Sequence, residues 1–220
     1  MQPAMALTPQ SDINADFLGG PPQLFIPVGR EQLIVLLEHG LTMESTVLDV
    51  GCGCLRGGRW IIPVIDRGHY CGIEPSHHML EKGLNQFVDP EIVRLKQPRF
   101  DHNDKFDFSV FDTKFTHFIL RSIWSHTSKQ QIEIILNGMI AWGTPDAVLL
   151  ASYYPSSFFR RMPDYKGTDW FGRSHKSTTR GQIAHKFSWI RDACRRRGLT
   201  VHELDRPPLG DQVWLRVRRG

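Results

Sequence analysis

Apolar residues recur along the chain in two alternating rhythms. Leu33, Leu36, Leu37 and Leu41 fall three and four residues apart, which predicts a helix from Gly29 that ends near Gly40. Val47, Leu48 and Val50 then make a short buried strand running into a glycine-rich stretch, 51–58. Trp60, Ile61, Val64 and Ile65 suit a helix face, limited or bent by Pro63. The run "HYCGIEPS" predicts a second strand ending at Glu74, and Ser76 is placed to cap a helix bearing Met79, Leu80, Gly83, Leu84 and Phe87 on one side. From Ile92 to Phe111 apolar and charged residues alternate, predicting a strand and then an acidic loop.

"FTHFILRSIW" is strand-like, and residues 128–142 carry Ile132, Ile135, Leu136, Met139 and Ile140 in one helical stripe. "DAVLLASYY" predicts another buried strand. A helix over about 186–197 and two strands, "LTVHEL" and "QVWLRVRR", complete the pattern. The short "DRPPLGD" link makes those two strands an antiparallel hairpin. Alternation of strand and helix predicts an α/β fold: a Rossmann-like, doubly wound, seven-stranded sheet, mostly parallel, with helices on both faces.

Two segments break the rhythm. Residues 1–23 are rich in Pro, Gly, Gln and Asn and are expected to be a flexible lead-in to a single domain, 24–220. Residues 155–185 lack periodicity but hold aromatic, basic and hydroxyl side chains, as a functional insert would. Composition narrows the picture further. With 220 residues the chain can bury a full core, and no apolar run approaches the roughly 18 residues of a membrane span. Without a signal-peptide pattern, a cytoplasmic location is expected. The net charge of +4 is modest, and its two arginine tracts, 195–197 and 216–219, read as solvated faces rather than a nucleic-acid groove. Four cysteines, Cys52, Cys54, Cys71 and Cys194, lack the paired spacing of a zinc site, so no metal is expected.

The chemistry concentrates in "TVLDVGCGCLRGG", 46–58. Glycines at the end of a first strand let the backbone turn tightly and approach a ligand. Glu74, at the end of the second strand, is placed to accept hydrogen bonds from both hydroxyls of a ribose. A dinucleotide loop needs a third glycine where this chain has Arg56, and a phosphate loop needs a following G-K-[ST] that is absent. Asp49 would repel a pyrophosphate but attract a cationic nucleoside such as S-adenosylmethionine.

On these residues the chain resembles the class I S-adenosylmethionine-dependent methyltransferases. "VLDVGCG" is similar to that family's first motif and "YCGIEPS" to its second, and the order of elements matches over about residues 28–219. The resemblance implies that Asp49, Gly51 and Gly53, with Cys52 between them, line the methionine and ribose side, and that Glu74, followed by Pro75, binds the ribose. Asp101, Asn103 and Asp107 are open for the adenine contact, with Asp107 taken into the site, and Ser122 joins the cofactor set. Where the family continues D-x-G-x-G-x-G, this chain has Leu55 in the last position, leaving Gly57 and Gly58 to supply slack.

The end of the fourth strand faces the methyl group in similar enzymes. There His126 is the candidate base and Arg121 the candidate contact for an acidic substrate group. The plainer roles are a helix start for His126, beside Ser125, Thr127 and Ser128, and an ordinary ion pair for Arg121. Tyr153, Tyr154, Trp170 and His175 are expected to wall the acceptor pocket, with 155–185 as its lid. The expected activity is methyl transfer to a small molecule, on oxygen, without nucleic acid or membrane as partner; a homodimer is left open. The alternatives are an RNA or protein methyltransferase, against which the fourth strand lacks the Asn/Asp-Pro-Pro-aromatic signature that similar enzymes use to bind amide or base amino groups, and a non-catalytic binding module.

Overall fold

The computed structural model describes residues 22–157, 161–170 and 181–220. After a 3-10 turn at Pro22–Leu24 the chain enters helix α1, Phe25–Glu38, four residues before Gly29. Pro27 lies in the first turn, where its missing N–H has no intrahelical partner to lose. Burial of Phe25 and Val28 brings that turn into the core. Strand β1 is Val47–Val50, buried throughout. Helix α2 is a single turn, Gly58–Ile61, so Pro63 stops rather than bends it. Strand β2 is Tyr70–Ile73, and α3, His77–Gln86, starts at Ser76, whose hydroxyl accepts from the Met79 amide.

The next stretch differs from the alternation expected after Ile92. Pro90–Lys96 is helix α4, capped by the Asp89 carboxylate on the Glu91 amide and closed by Gln97 in a left-handed conformation. An Asp cap followed by Pro at the first helical position starts a helix more strongly than alternation in a half-buried segment opposes it. Strand β3 is only Arg99–Asp101. Strand β4 is Phe115–Leu120 and α5 is Lys129–Trp142, which begins with a full capping box between Ser128 and Gln131. Strand β5, Gly143–Pro155, is followed by the two-residue β6, Ala184–His185, then α6, Phe187–Arg195, β7, Leu199–Glu203, and β8, Val213–Arg219.

The strands run in the order β3-β2-β1-β4-β5-β8-β7, with β6 pairing β5 off that path. The expected seven strands make up the main order and β6 adds an eighth. Pairing is parallel from β3 to β5 and antiparallel for β5–β8 and β7–β8. One face packs Leu48, Cys71, Phe118, Leu149 and Leu215 against α5 and α6. The other packs Val47, Tyr70, Ile119, Leu150 and Trp214 against α1 and the segments around α2 and α3. Strand order reverses between β1 and β4, which opens a crevice at their C-terminal ends. Among the described residues no helix is long and apolar enough to cross a membrane.

Candidate active site

The loop after β1 is held in an unusual path. Gly51 and Gly53 have φ of 71° and 56°, and Leu55, where the motif has glycine, has φ of 60°. A side chain in that region costs on the order of 1–2 kcal/mol. Leu55 is fully buried, so packing offsets the strain and the loop keeps the path a glycine would take. At Gly51 there is no room for a side chain: a Cβ would come within 2.2 Å of Ile123 Cδ1, on the segment after β4.

Glu74 ties this loop to β2. Its Oε2 accepts from the Gly53 amide at 3.0 Å and its Oε1 from the Ser76 amide at 2.9 Å. Burial raises its pKa, against those two hydrogen bonds. Each oxygen keeps a lone pair for a further donor, as a ribose diol would supply. Pro75 follows, half-buried. His102 Nδ1 meets the Glu74 carbonyl at 2.7 Å, and its ring stacks on His77 at 3.5 Å. Asp101 ends β3 and accepts from both the backbone and the side-chain amide of Asn103. Asp107 is exposed and holds Ser109 through its amide and hydroxyl. Asp101 therefore lies closer in the sheet to Glu74, whose amide donates to its carbonyl.

Asp49 is inside β1, 2% exposed, and accepts a 2.6 Å hydrogen bond from the Tyr70 hydroxyl. Burial raises its pKa to about 7, with the Tyr70 hydrogen bond and Arg56 opposing. Near neutral pH its charge is thus conditional, and a nearby cation would favour the ionised form. Cys52 packs its sulfur beside Gly72 in the core, and burial raises its thiol pKa well above the ordinary value. All four cysteines are buried and free.

At the end of β4, both terminal nitrogens of Arg121 are engaged. Its Nε lies 3.4 Å from Glu31 Oε2, a charge contact without hydrogen-bond geometry, and both side chains are buried. Its Nη2 donates to the Leu209 carbonyl at 2.6 Å and its Nη1 to Ser152 Oγ at 3.1 Å. Burial lowers its pKa to about 10, which leaves it charged at neutral pH. Ser122, φ 64°, donates its amide to Ser152 Oγ at 2.8 Å and accepts from Gln212 Nε2 at 2.9 Å. The turn Leu209–Gln212 between β7 and β8 is thereby docked onto the crevice.

The two adjacent tyrosines face opposite ways, as strand alternation requires. Tyr153 is fully buried in the α5–α6 core with its hydroxyl on Glu203, so it lines the core and not the crevice. Tyr154 donates to the Gly210 carbonyl at 3.0 Å. His126 is half-buried, its ring 6.1 Å from that of Trp170, which in turn lies 6.3 Å from Phe106. Asp164 ties its segment to the ends of α5 and α6, meeting Lys129 Nζ at 2.6 Å and the Lys186 amide at 3.0 Å. His175 lies outside the described residues. The sheet therefore gathers Gly51, Gly53, Glu74, Ser122 and Arg121 at the C-terminal ends of β1, β2 and β4, while Tyr153 points into the core. Glu31, Ser152 and Gln212 were not singled out from the sequence. They lie on three separate elements, and no local motif marks them. Tyr70 was more accessible to inference: parallel pairing of β1 with β2 puts it on the same face as Asp49.

No family model matches the chain, and no curated protein matches it. Solved structures do. A S-adenosylmethionine-dependent methyltransferase from Clostridium acetobutylicum is similar at a TM-score of 0.63 and 14% identity, over 96% of this chain and 94% of that one. The magnesium protoporphyrin IX methyltransferase from Synechocystis, solved with bound S-adenosylhomocysteine, gives 0.62 and 17% identity over 94% and 88%. The N-methyltransferase NodS from Bradyrhizobium japonicum gives 0.58 and 16% identity over 88% and 97%. The chain has the fold of the class I S-adenosylmethionine-dependent methyltransferases.

Proposed function

We propose that this chain is a S-adenosylmethionine-dependent methyltransferase acting on an oxygen of a small-molecule acceptor. The observation that carries the reading is the Glu74 carboxylate, pinned by Gly53 and Ser76 with lone pairs to spare, beside a loop that Gly51 and Gly53 turn through left-handed backbone. Glu74 would hold the ribose, and the Gly51–Gly53 backbone would follow the methionine arm. Asp49, buried behind the loop, would become ionised as a cation arrives. S-adenosylmethionine supplies a methyl group already activated by its sulfonium.

The protein's task is then to align the acceptor and exclude water, which can lower the barrier by several kcal/mol. Trp170 and Phe106 would shield the crevice beside His126, which would take a proton from an acceptor hydroxyl. Arg121, committed to Glu31 and Leu209, would shape the wall rather than grip substrate. Calorimetric titration with S-adenosylhomocysteine tests the cofactor. Incubation with labelled S-adenosylmethionine and fractionated extract tests the acceptor, with label expected in small molecules. Label recovered only in RNA or protein would overturn the acceptor class.

A further inference from the structure

Arg59, in α2, is a buried cation whose charge the surrounding side chains leave uncompensated. It is 3% exposed, and its Nε and Nη1 are fully buried with no hydrogen-bond acceptor. Arg121, 7% exposed, shows what such a group ordinarily needs: Glu31 faces it, and Ser152 and Leu209 accept from it. Among the described residues no acid takes that role at Arg59. The positions one helical turn away hold Leu55, Arg56, Ile62 and Pro63. The charge that acts on it is Arg30, a second cation. Burial, and then Arg30, push its pKa down, yet a guanidinium stays protonated at neutral pH.

Trp60 joins the two arginines. Arg30 Cζ lies 5.1 Å and Arg59 Cζ 5.3 Å from the centroid of its ring. Helix α1 packs onto the indole at Gly29, where a Cβ would come within 2.9 Å of Trp60 Nε1, itself a buried donor without a partner. An aromatic face offsets part of a cation's desolvation but gives in-plane N–H groups no acceptor. A charge left buried and unpaired is strongly unfavourable. Arg30 is exposed on α1, so the junction opens to solvent on its side. Ile26, Pro27, Leu33 and Ile34 stand at helical spacing from it, and none is acidic.

We infer that Arg59 and Arg30, gathered at Trp60, form an anion site between α1 and α2 that takes a dianionic oxyanion of the phosphate class. Two positive charges with no acid beside them match two negative ones, and guanidinium forks fit the spacing of oxyanion oxygens. The site is separate from the crevice: Arg56 lies in the field of Asp49 and Glu31, whereas Arg59 lies in that of Arg30. It needs no methyl-transfer chemistry and stands apart from the proposed function. The oxyanion can be the free ion or the phosphoryl group of a larger molecule.

Thermal melting and calorimetry of the full chain test this with inorganic phosphate, phenyl phosphate and acetate, at constant ionic strength in chloride. The wild type should melt higher in about 10 mM phosphate and bind acetate at least about tenfold more weakly. Arg59→Met keeps the bulk and removes the charge. It should bind phosphate at least about tenfold more weakly, and in phosphate-free buffer it should melt no lower than the wild type, since it buries no unpaired cation. Arg30→Met should lose about threefold or more, and Arg56→Met should keep the wild-type affinity. Phenyl phosphate bound more tightly than phosphate assigns a phosphorylated molecule; equal or weaker binding assigns the free ion. The inference is overturned if phosphate leaves the wild type unmoved, if acetate binds as well, or if Arg59→Met keeps phosphate while Arg56→Met loses it. It is overturned equally if Arg59→Met is destabilised in phosphate-free buffer, because the guanidinium would then be satisfied within the protein.

Discussion

The Glu74 carboxylate and the Gly53 amide are joined at 3.0 Å, so the second strand holds the first strand's glycine loop in place. Both oxygens of Glu74 are engaged by backbone amides, which makes this side chain a support for the loop as well as the proposed ribose contact. Glu74→Ala is expected to weaken S-adenosylhomocysteine binding by about 1–3 kcal/mol, the range for hydroxyls left unpaired in a buried site. Calorimetry decides it, and unchanged affinity would remove the carboxylate from the site.

Asp49 sets a pH dependence. Burial raises its pKa in the fold to about 7, from the ordinary aspartate value of 3.8. Between those values the native state holds a proton that the unfolded chain has released, so this group's contribution to stability falls as pH rises through that window. Binding a cation draws the proton off. Affinity for S-adenosylmethionine should therefore increase from about pH 6 to about pH 8, flattening above the folded pKa. Asp49→Asn should abolish the slope. Tyr70→Phe removes the hydrogen bond that lowers the pKa and should move the midpoint upward.

At Leu55 two effects oppose. Leu55→Gly would relieve on the order of 1–2 kcal/mol of backbone strain. It would also empty a fully buried position, at a cost of about 2–5 kcal/mol for a leucine reduced to alanine. The cavity wins, so the variant should be less stable in urea denaturation while its loop still binds S-adenosylhomocysteine. A more stable glycine variant would contradict the balance.

Removing Arg121 alone leaves Glu31 charged and buried. Arg121→Met is expected to cost about 3–5 kcal/mol in denaturant unfolding, and adding Glu31→Gln should recover much of the loss. An unchanged double mutant would mean that the hydrogen bonds of Arg121 to Leu209 and Ser152 matter more than its charge contact.

Trp170 spans from Phe106 to His126. Trp170→Ala should lower turnover by about 10–100-fold, the scale of a misplaced acceptor, with S-adenosylhomocysteine affinity within about twofold. Equal losses of both would place Trp170 in the cofactor site and not over the acceptor.

Local pattern was enough for α5, whose apolar stripe and Ser128 cap need no distant partner, and for β1 and β2, whose short, largely apolar runs bounded by turn residues read as strands buried on both faces. It was not enough for α4, where the Asp89–Pro90 start signal outweighed the alternation that follows. The motif residues were legible for the same reason: Gly51, Gly53 and Glu74 work through backbone conformation and position at strand ends. The partners of those residues were not. Glu31 meets Arg121 across the fold, and Gln212 meets Ser122 across 90 residues of sequence, because β4, β5 and β8 lie side by side in the sheet. Periodicity encodes which face of an element is buried, but carries no record of which element lies next to it. That adjacency is set by the packing of the whole sheet, and it alone decided which hydroxyl meets Asp49, what Arg121 holds and which amide Ser122 accepts from.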